Sequence, residues 1–89
     1  MEIELISGMF TVQEAEQLLT AIFQTKIAFH QHKIRTIDEN EEDIKHSEKR
    51  ILQLEETLRN ATKKMKEKGQ THTILNAYIE VNTTPRLTQ

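Results

Sequence analysis

The positions of the helix breakers constrain this chain more than any other feature. Glycine occurs only at positions 8 and 69, and the single proline is Pro85. No breaker lies between the two glycines, so the sequence predicts helix through most of positions 9 to 68. Strand character is confined to two short segments, one before Gly8 and one after Gly69.

The N-terminal segment predicts a strand followed by a capped helix. Residues 2–6 alternate charged and apolar side chains, which is the period of a half-buried strand, and residues 7–9 predict a turn around Gly8. Thr11 and Glu14 have the spacing of a capping box, in which a hydroxyl and a carboxylate accept hydrogen bonds from free backbone amides at a helix start. We therefore expect a strand over about residues 2–6 and a first helix over about residues 12–36.

The predicted first helix has one apolar half and one half without charges. Apolar residues that share one half of its circumference are Leu18, Leu19, Ile22, Phe23, Ile27, Phe29, Ile34 and Ile37. The residues of the other half, which we name the chargeless face, are Gln17, Thr20, Ala21, Gln24, Thr25, Ala28 and Gln31. A fully solvated helix face usually carries charges, so the chargeless face indicates a surface that a partner covers.

The composition changes abruptly at residue 38, and charged side chains make up more than half of residues 38–68. Beneath them runs an apolar seam that fits a heptad, typical of a coiled coil, with Ser47 in one apolar slot. Its members are Ile44, Ile51, Leu54, Leu58, Ala61 and Met65. We expect a second helix over about residues 40–68 that ends at Gly69, and a second strand over about residues 74–81. Residues 82–89 predict a flexible tail.

Residues 12–68 form either one continuous helix or a hairpin. The apolar stripe continues in phase through Ile37 and Ile44, which permits one helix. The seam is poorest in the middle, however, and Asp38 or Asn40 offers a new N-cap. A hairpin also pairs the two strands, whereas a straight helix leaves both edges open. We expect a mostly α (α+β) fold, β-α-α-β, in one domain over residues 1–81, with a long antiparallel helical hairpin and a short two-stranded antiparallel sheet joining the termini.

A family resemblance rests on short stretches of sequence. They are Glu4-Leu5-Ile6, Gly8, Phe10-Thr11, Glu14-Ala15, Lys26-Ile27, Phe29-His30, Lys49-Arg50-Ile51 and Leu54. In these the first two-thirds of the chain resembles a group of small, uncharacterised bacterial helical proteins. The resemblance implies a strand, a helical hairpin and a strand, and implies no activity. That group has a longer inter-helix loop with Gly and Pro, where this chain has the acidic residues 38–43.

Size and composition exclude several classes of protein. The chain has 89 residues, of which 36% are hydrophobic, so its core is thin, and small thin cores usually need a staple or a partner. It has no cysteine, which excludes disulfides and thiolate ligands. The formal net charge of −2 provides no global attraction to nucleic acid or membrane. With no signal-like start and no long apolar run, we expect a cytoplasmic protein without membrane contact.

Histidines and lysines supply the candidate chemistry. His30 and His32 point in nearly opposite directions on a helix and cannot share an ion, so we expect no metal. Lys26, His30 and Lys33 lie along the apolar side of helix 1 at helical spacing. They predict either an anion or proton-transfer site, or long stems that run along the bundle edge and pair with acids of helix 2. The second alternative is the commoner arrangement.

The basic end of helix 2 permits a second function. Its residues are Arg59, Lys63, Lys64, Lys66 and Lys68. They fit a nucleic-acid footprint, but they also complement the helix dipole, and no aromatic residue stands among them to stack a base. Binding of nucleic acid by an accessory protein is therefore the alternative hypothesis, not the leading one.

The residues lead to an interaction module rather than an enzyme. Nothing pairs a nucleophile with an orienting base, and no glycine loop could cradle phosphate, so we expect no catalysis and no cofactor. We expect a small scaffold that binds itself as a homodimer or larger assembly; a different protein partner stays open. The candidate interface residues are Leu19, Ile22, Phe23, Ile27, Phe29, Ile51, Leu54 and Leu58.

Overall fold

The structure, a computed structural model, describes residues 1–36 and 41–85. Its elements follow in the order β1 (Glu2–Thr11), α1 (Val12–Thr36), α2 (Glu41–Met65) and β2 (His72–Glu80). The two strands form one antiparallel sheet and the two helices pack against each other. The predicted β-α-α-β fold with its helical hairpin is confirmed, and the single continuous helix is excluded. The expected caps at Asp38 and Asn40, and the apolar Ile37, lie outside the described residues.

The sheet is longer than the sequence predicts, because β1 does not end at Gly8. Pairing runs from Glu2 with Glu80 to Thr11 with His72, and Gly8 pairs with Leu75. The turn expected at residues 7–9 was therefore wrong. Gly8 keeps a φ of +145° inside the strand, a conformation that residues with a Cβ rarely adopt. Pairing with β2 on both sides of Gly8 supplies the hydrogen bonds that hold the segment extended.

One bulge separates the two halves of β1. Glu4 pairs with Tyr78 and Ile6 with Ala77, so Leu5 is the extra residue. Beyond the bulge, half-buried side chains alternate with exposed ones on both strands. The half-buried positions form the inner face: Ile6, Gly8 and Phe10 with Ala77, Leu75 and Thr73. The alternation along β2 places Leu75, Ala77 and Ile79 on one side of the strand.

Hydrogen bonds between residues close in sequence define the start of α1 and the turns that follow α2. The backbone amide of Thr11 donates to Oε1 of Glu14 at 3.0 Å, and the amide of Glu14 donates to Oγ1 of Thr11 at 3.1 Å, which confirms the capping box. Helix α2 ends at Met65, earlier than expected. Turns then carry the chain to Gly69, whose φ of +87° matches the third position of a type II turn closed by a bond from the Gln70 amide to the Glu67 carbonyl.

The core is thin. Among the described residues, only Ala15, Ile27 and Leu54 are buried apolar side chains, and Ser47 of the α2 seam is buried with them. The Cα radius of gyration is 16.5 Å and the molecule measures 50 × 30 × 15 Å. A compact domain of this length has a radius of gyration of about 12 Å. A single chain is therefore extended and flat, with little interior of its own.

Candidate functional site

Exposed apolar side chains gather on the sheet. Ten large hydrophobic side chains are exposed among the described residues, and only Phe29 and Leu52 of these belong to the helices. The other eight lie in the strands or directly beside them: Met1, Ile3, Leu5, Met9, Ile74, Tyr78, Ile79 and Val81. Such a concentration on one element is typical of an interaction surface, whereas scattered exposed hydrophobics are ordinary.

The side of the sheet opposite the inner face is exposed along its whole length, and we name it the outer face. It comprises Glu2, Glu4, Ser7, Met9 and Thr11 of β1 and His72, Ile74, Asn76, Tyr78 and Glu80 of β2. The chemical character of the side chains changes from one end of the outer face to the other. An imidazole lies at the end near the helices, Met9 and Ile74 pair next to it, small polar residues lie in the middle, and acids lie at the far end.

A hollow lies at the end of the outer face near the helices. It has a volume of about 340 Å³ and is lined by Met9, Gln70, His72, Thr73 and Ile74. A second cleft of about 340 Å³ adjoins it through the same part of β2 and runs between the helix ends, where Leu19, Met65 and Leu75 line it. Ile74 contributes to both, so this isoleucine is the apolar centre of the end of the sheet.

Most of the predicted interface residues on the helices are buried or half-buried within the single chain. Ile27 and Leu54 are buried, and five others are half-buried: Leu19, Ile22, Phe23, Ile51 and Leu58. Phe29 alone of that set is exposed, and the Lys26 Nζ lies 5.1 Å from its ring centroid. This cation–π contact gives the exposed ring a partner within its own helix.

The chargeless face of α1 is largely open to solvent. Gln17, Gln24 and Gln31 are exposed, and Thr20 is half-buried. The Thr25 hydroxyl donates to the Ala21 carbonyl at 2.9 Å, so this hydroxyl is satisfied within the helix. The face is polar and carries no large apolar side chain, which makes it a weaker candidate for association than the sheet.

His30 lies among cations in the hairpin. Its ring nitrogens are shielded from solvent and have no hydrogen-bond partner among the described residues. The ring meets Phe29 edge-on at 5.6 Å between centroids. The expected acids of α2 are not what influences this imidazole: the charged groups that act on it are Lys26 and Lys33 of its own helix and Arg50 and His46 of α2.

This environment lowers the pKa of His30 below its ordinary value of 6.5. The largest cause is desolvation, followed by repulsion from Lys26, Lys33, Arg50 and His46. Unfolding returns the imidazole to water, where it binds a proton more readily. The unfolded chain therefore holds more protons than the folded one at pH values below about 6.5, and stability falls as the pH drops through that window.

The basic residues predicted for the end of helix 2 do not all lie on that helix in the structure. Because the helix ends at Met65, Lys66 and Lys68 lie in the following turns. Lys66 Nζ is 2.8 Å from Glu16 Oε2 of α1, and Lys64 lines the cleft beside β2. One lysine of the proposed nucleic-acid footprint is thus paired within the chain, which weakens a continuous basic stripe.

Two further properties of the described residues bear on function. In residues 1–36 and 41–85, no three side chains of His, Cys, Asp or Glu come close enough to hold a metal ion. No helix within the described ranges is both long and apolar enough to cross a bilayer.

Sequence reasoning placed the candidate interface residues on the helices and did not single out the outer face of the sheet. Met9 was assigned to a turn, so its pairing with Ile74 was not foreseen, although the alternation through Ile74, Asn76 and Tyr78 was a readable signal. In comparisons with known proteins, no family model, no curated protein and no solved structure matches this chain.

Proposed function

We propose that this protein is a small self-associating interaction module whose working form is a homodimer or a larger assembly of the same chain. The observation that carries the proposal is an imbalance among the described residues: three apolar side chains form the buried core, whereas eight large hydrophobic side chains are exposed in the strands or directly beside them. Burial of apolar surface is the main stabilising contribution to folding, and association provides the burial that the single chain lacks.

The shape of the molecule supports the same proposal. A two-stranded sheet is marginal in water on its own and needs more strands or packing against a helix. Here α1 packs against one side of the sheet, but the flat molecule has a radius of gyration well above that of a compact domain. A second copy laid against the other side of the sheet covers its exposed face and buries more apolar surface.

Molar mass in solution tests the proposal. Light scattering coupled to size exclusion, run from micromolar to hundreds of micromolar, is expected to give a mass that rises toward at least twice the 10.4 kDa of one chain. Circular dichroism on the same samples reports whether the helices persist. A folded species of 10.4 kDa at every concentration would contradict the proposal.

A further inference from the structure

Resting on the proposed self-association, we infer that the outer face of the sheet is the contact between two copies of the chain. The two sheets pack face to face with antiparallel strands, about a two-fold axis at the level of Asn76 and Ser7. The occupant of this face is a second copy because the β2 half of the outer face is complementary to itself under that rotation, which brings Ile74 opposite Tyr78 and His72 opposite Glu80. An isologous contact of this kind closes as a dimer.

The register of the sheet sets which residues meet. Asn76 and Ser7 pair in the middle of the outer face, with Ile74 two positions toward one end of β2 and Tyr78 two positions toward the other. Rotation about an axis at Asn76 brings Ile74 of each copy opposite Tyr78 of the other. The small polar residues at the centre allow close approach of the two sheets, which pack about 10 Å apart.

Tyr78 is the anchor of this contact. It is 56% exposed in the single chain, although a tyrosine is largely apolar. The hollow at the other end of the face is lined by the apolar Met9 and Ile74 and by the polar Gln70, His72 and Thr73. A tyrosine ring entering it from the second copy buries its apolar body and brings its hydroxyl among these polar side chains. Buried tyrosines at the centre of interfaces commonly dominate binding energy.

Hydrogen-bonding groups are complementary in the same arrangement, because an imidazole N–H can donate to a carboxylate. Rotation about Asn76 places His72 of one copy opposite Glu80 of the other, and does so twice. Both side chains are held in place within their own chain: His72 Nδ1 is 2.9 Å from the Thr71 hydroxyl, and Glu80 Oε1 accepts from Asn82 Nδ2 at 2.9 Å. A parallel stacking of the sheets instead places the acids Glu2 and Glu80 of one copy against the same acids of the other, which repels. Repulsion between these carboxylates thus favours the antiparallel orientation.

The outer face is exposed over the full length of the sheet. Strands of nine and ten residues extend for about 30 Å at 3.3 Å per residue. All ten residues of the face are exposed in the single chain, so a second copy can contact it along that whole length.

Two substitutions at equally exposed positions test the location. Ile74 and Leu52 are each 67% exposed, the first on the outer face and the second on α2. Ile74→Asp is expected to weaken dimerisation at least tenfold in sedimentation equilibrium, whereas Leu52→Asp leaves it within about twofold. Equal dimerisation of wild type and Ile74→Asp, or selective loss in Leu52→Asp, overturns the inference. A wild type that is monomeric throughout instead defeats the proposed function itself.

A charge exchange tests the orientation. His72→Glu is expected to weaken the dimer by placing two carboxylates together, and adding Glu80→Lys to that variant is expected to restore it. Restoration cannot arise from a general effect on folding. No recovery in the double variant, with circular dichroism unchanged, overturns the antiparallel arrangement.

Cross-linking avoids any dependence on a variant's stability, and the chain has no native cysteine to interfere. Asn76→Cys lies on the proposed axis, and Gln24→Cys lies on the chargeless face of α1. A bismaleimide that spans the roughly 10 Å between packed sheets is expected to join Asn76→Cys chains at low protein concentration and to leave Gln24→Cys chains single. The reverse result overturns the inference and assigns the contact to the chargeless face; no cross-link in either dimeric variant also overturns it.

Discussion

Leu54 offers the most direct test of how this thin core is built. Leu54 is 8% exposed and lies at the centre of the α2 seam, whereas Leu52 on the same helix is 67% exposed. Replacing either by alanine removes the same atoms and changes helix propensity equally. The comparison of Leu54→Ala with Leu52→Ala therefore isolates burial.

The expected loss for Leu54→Ala follows from the atoms removed. Three carbon groups at ~0.8 kcal/mol each amount to about 2.4 kcal/mol of lost transfer free energy. A cavity adds to this, but the half-buried neighbours Ile51 and Leu58 have room to relax into it, which keeps the loss near the lower end of the usual range. We expect about 2–3 kcal/mol, against a total of about 4–13 kcal/mol for a chain of this length.

Thermal unfolding followed by circular dichroism measures the difference, with all variants at one protein concentration because association shifts the apparent stability. At 4–8 °C per kcal/mol, Leu54→Ala is expected to lower the Tm by about 10–20 °C. Leu52→Ala is expected to shift the free energy of unfolding by no more than about 0.5 kcal/mol. A Tm close to that of the wild type in both variants would refute the assignment of the seam as core, whereas an equal large loss in both would place Leu52 under a partner.

Three further predictions concern individual features. The free energy of unfolding of the wild type is expected to fall as the pH drops below about 6.5. His30→Leu is expected to flatten that pH dependence, whereas His32→Leu, at an exposed position, retains it. An equal pH dependence of the free energy of unfolding in the two variants, measured by urea titration, would contradict the role given to His30. Gly8→Ala is expected to cost about 1–3 kcal/mol through its φ of +145° alone, because no atom lies within 4 Å of the added Cβ; an unchanged Tm would show that the backbone relaxes freely. Binding to duplex or single-stranded nucleic acid is expected to be negligible at physiological salt, and a micromolar, salt-sensitive affinity that is lost in the Lys63→Glu/Lys64→Glu variant would instead favour the nucleic-acid hypothesis.

Several features that local sequence determines were predicted correctly. The bonds between Thr11 and Glu14 need only residues three apart. The alternation of β2 and the two-helix pattern likewise repeat within a few residues. Short-range patterns of this kind carry their structural meaning without knowledge of the rest of the chain. The end of α2 was not among the features predicted correctly, because the helix was expected to reach Gly69 and ends at Met65, with Gly69 in a following turn.

The tertiary structure alone decided the features that join distant residues. Gly8 lies inside a strand because β2, more than sixty residues later, pairs across it, and the bulge at Leu5 sets which side chains share a face with Tyr78. His30 is lowered in pKa partly by Arg50, which reaches it only once the hairpin closes. The outer face exists as a surface only after Met9 and Ile74 pair, since each of them alone is an ordinary apolar residue in a short segment. Local propensity provides the elements, and pairing between segments far apart in sequence decides which residues remain to meet a partner.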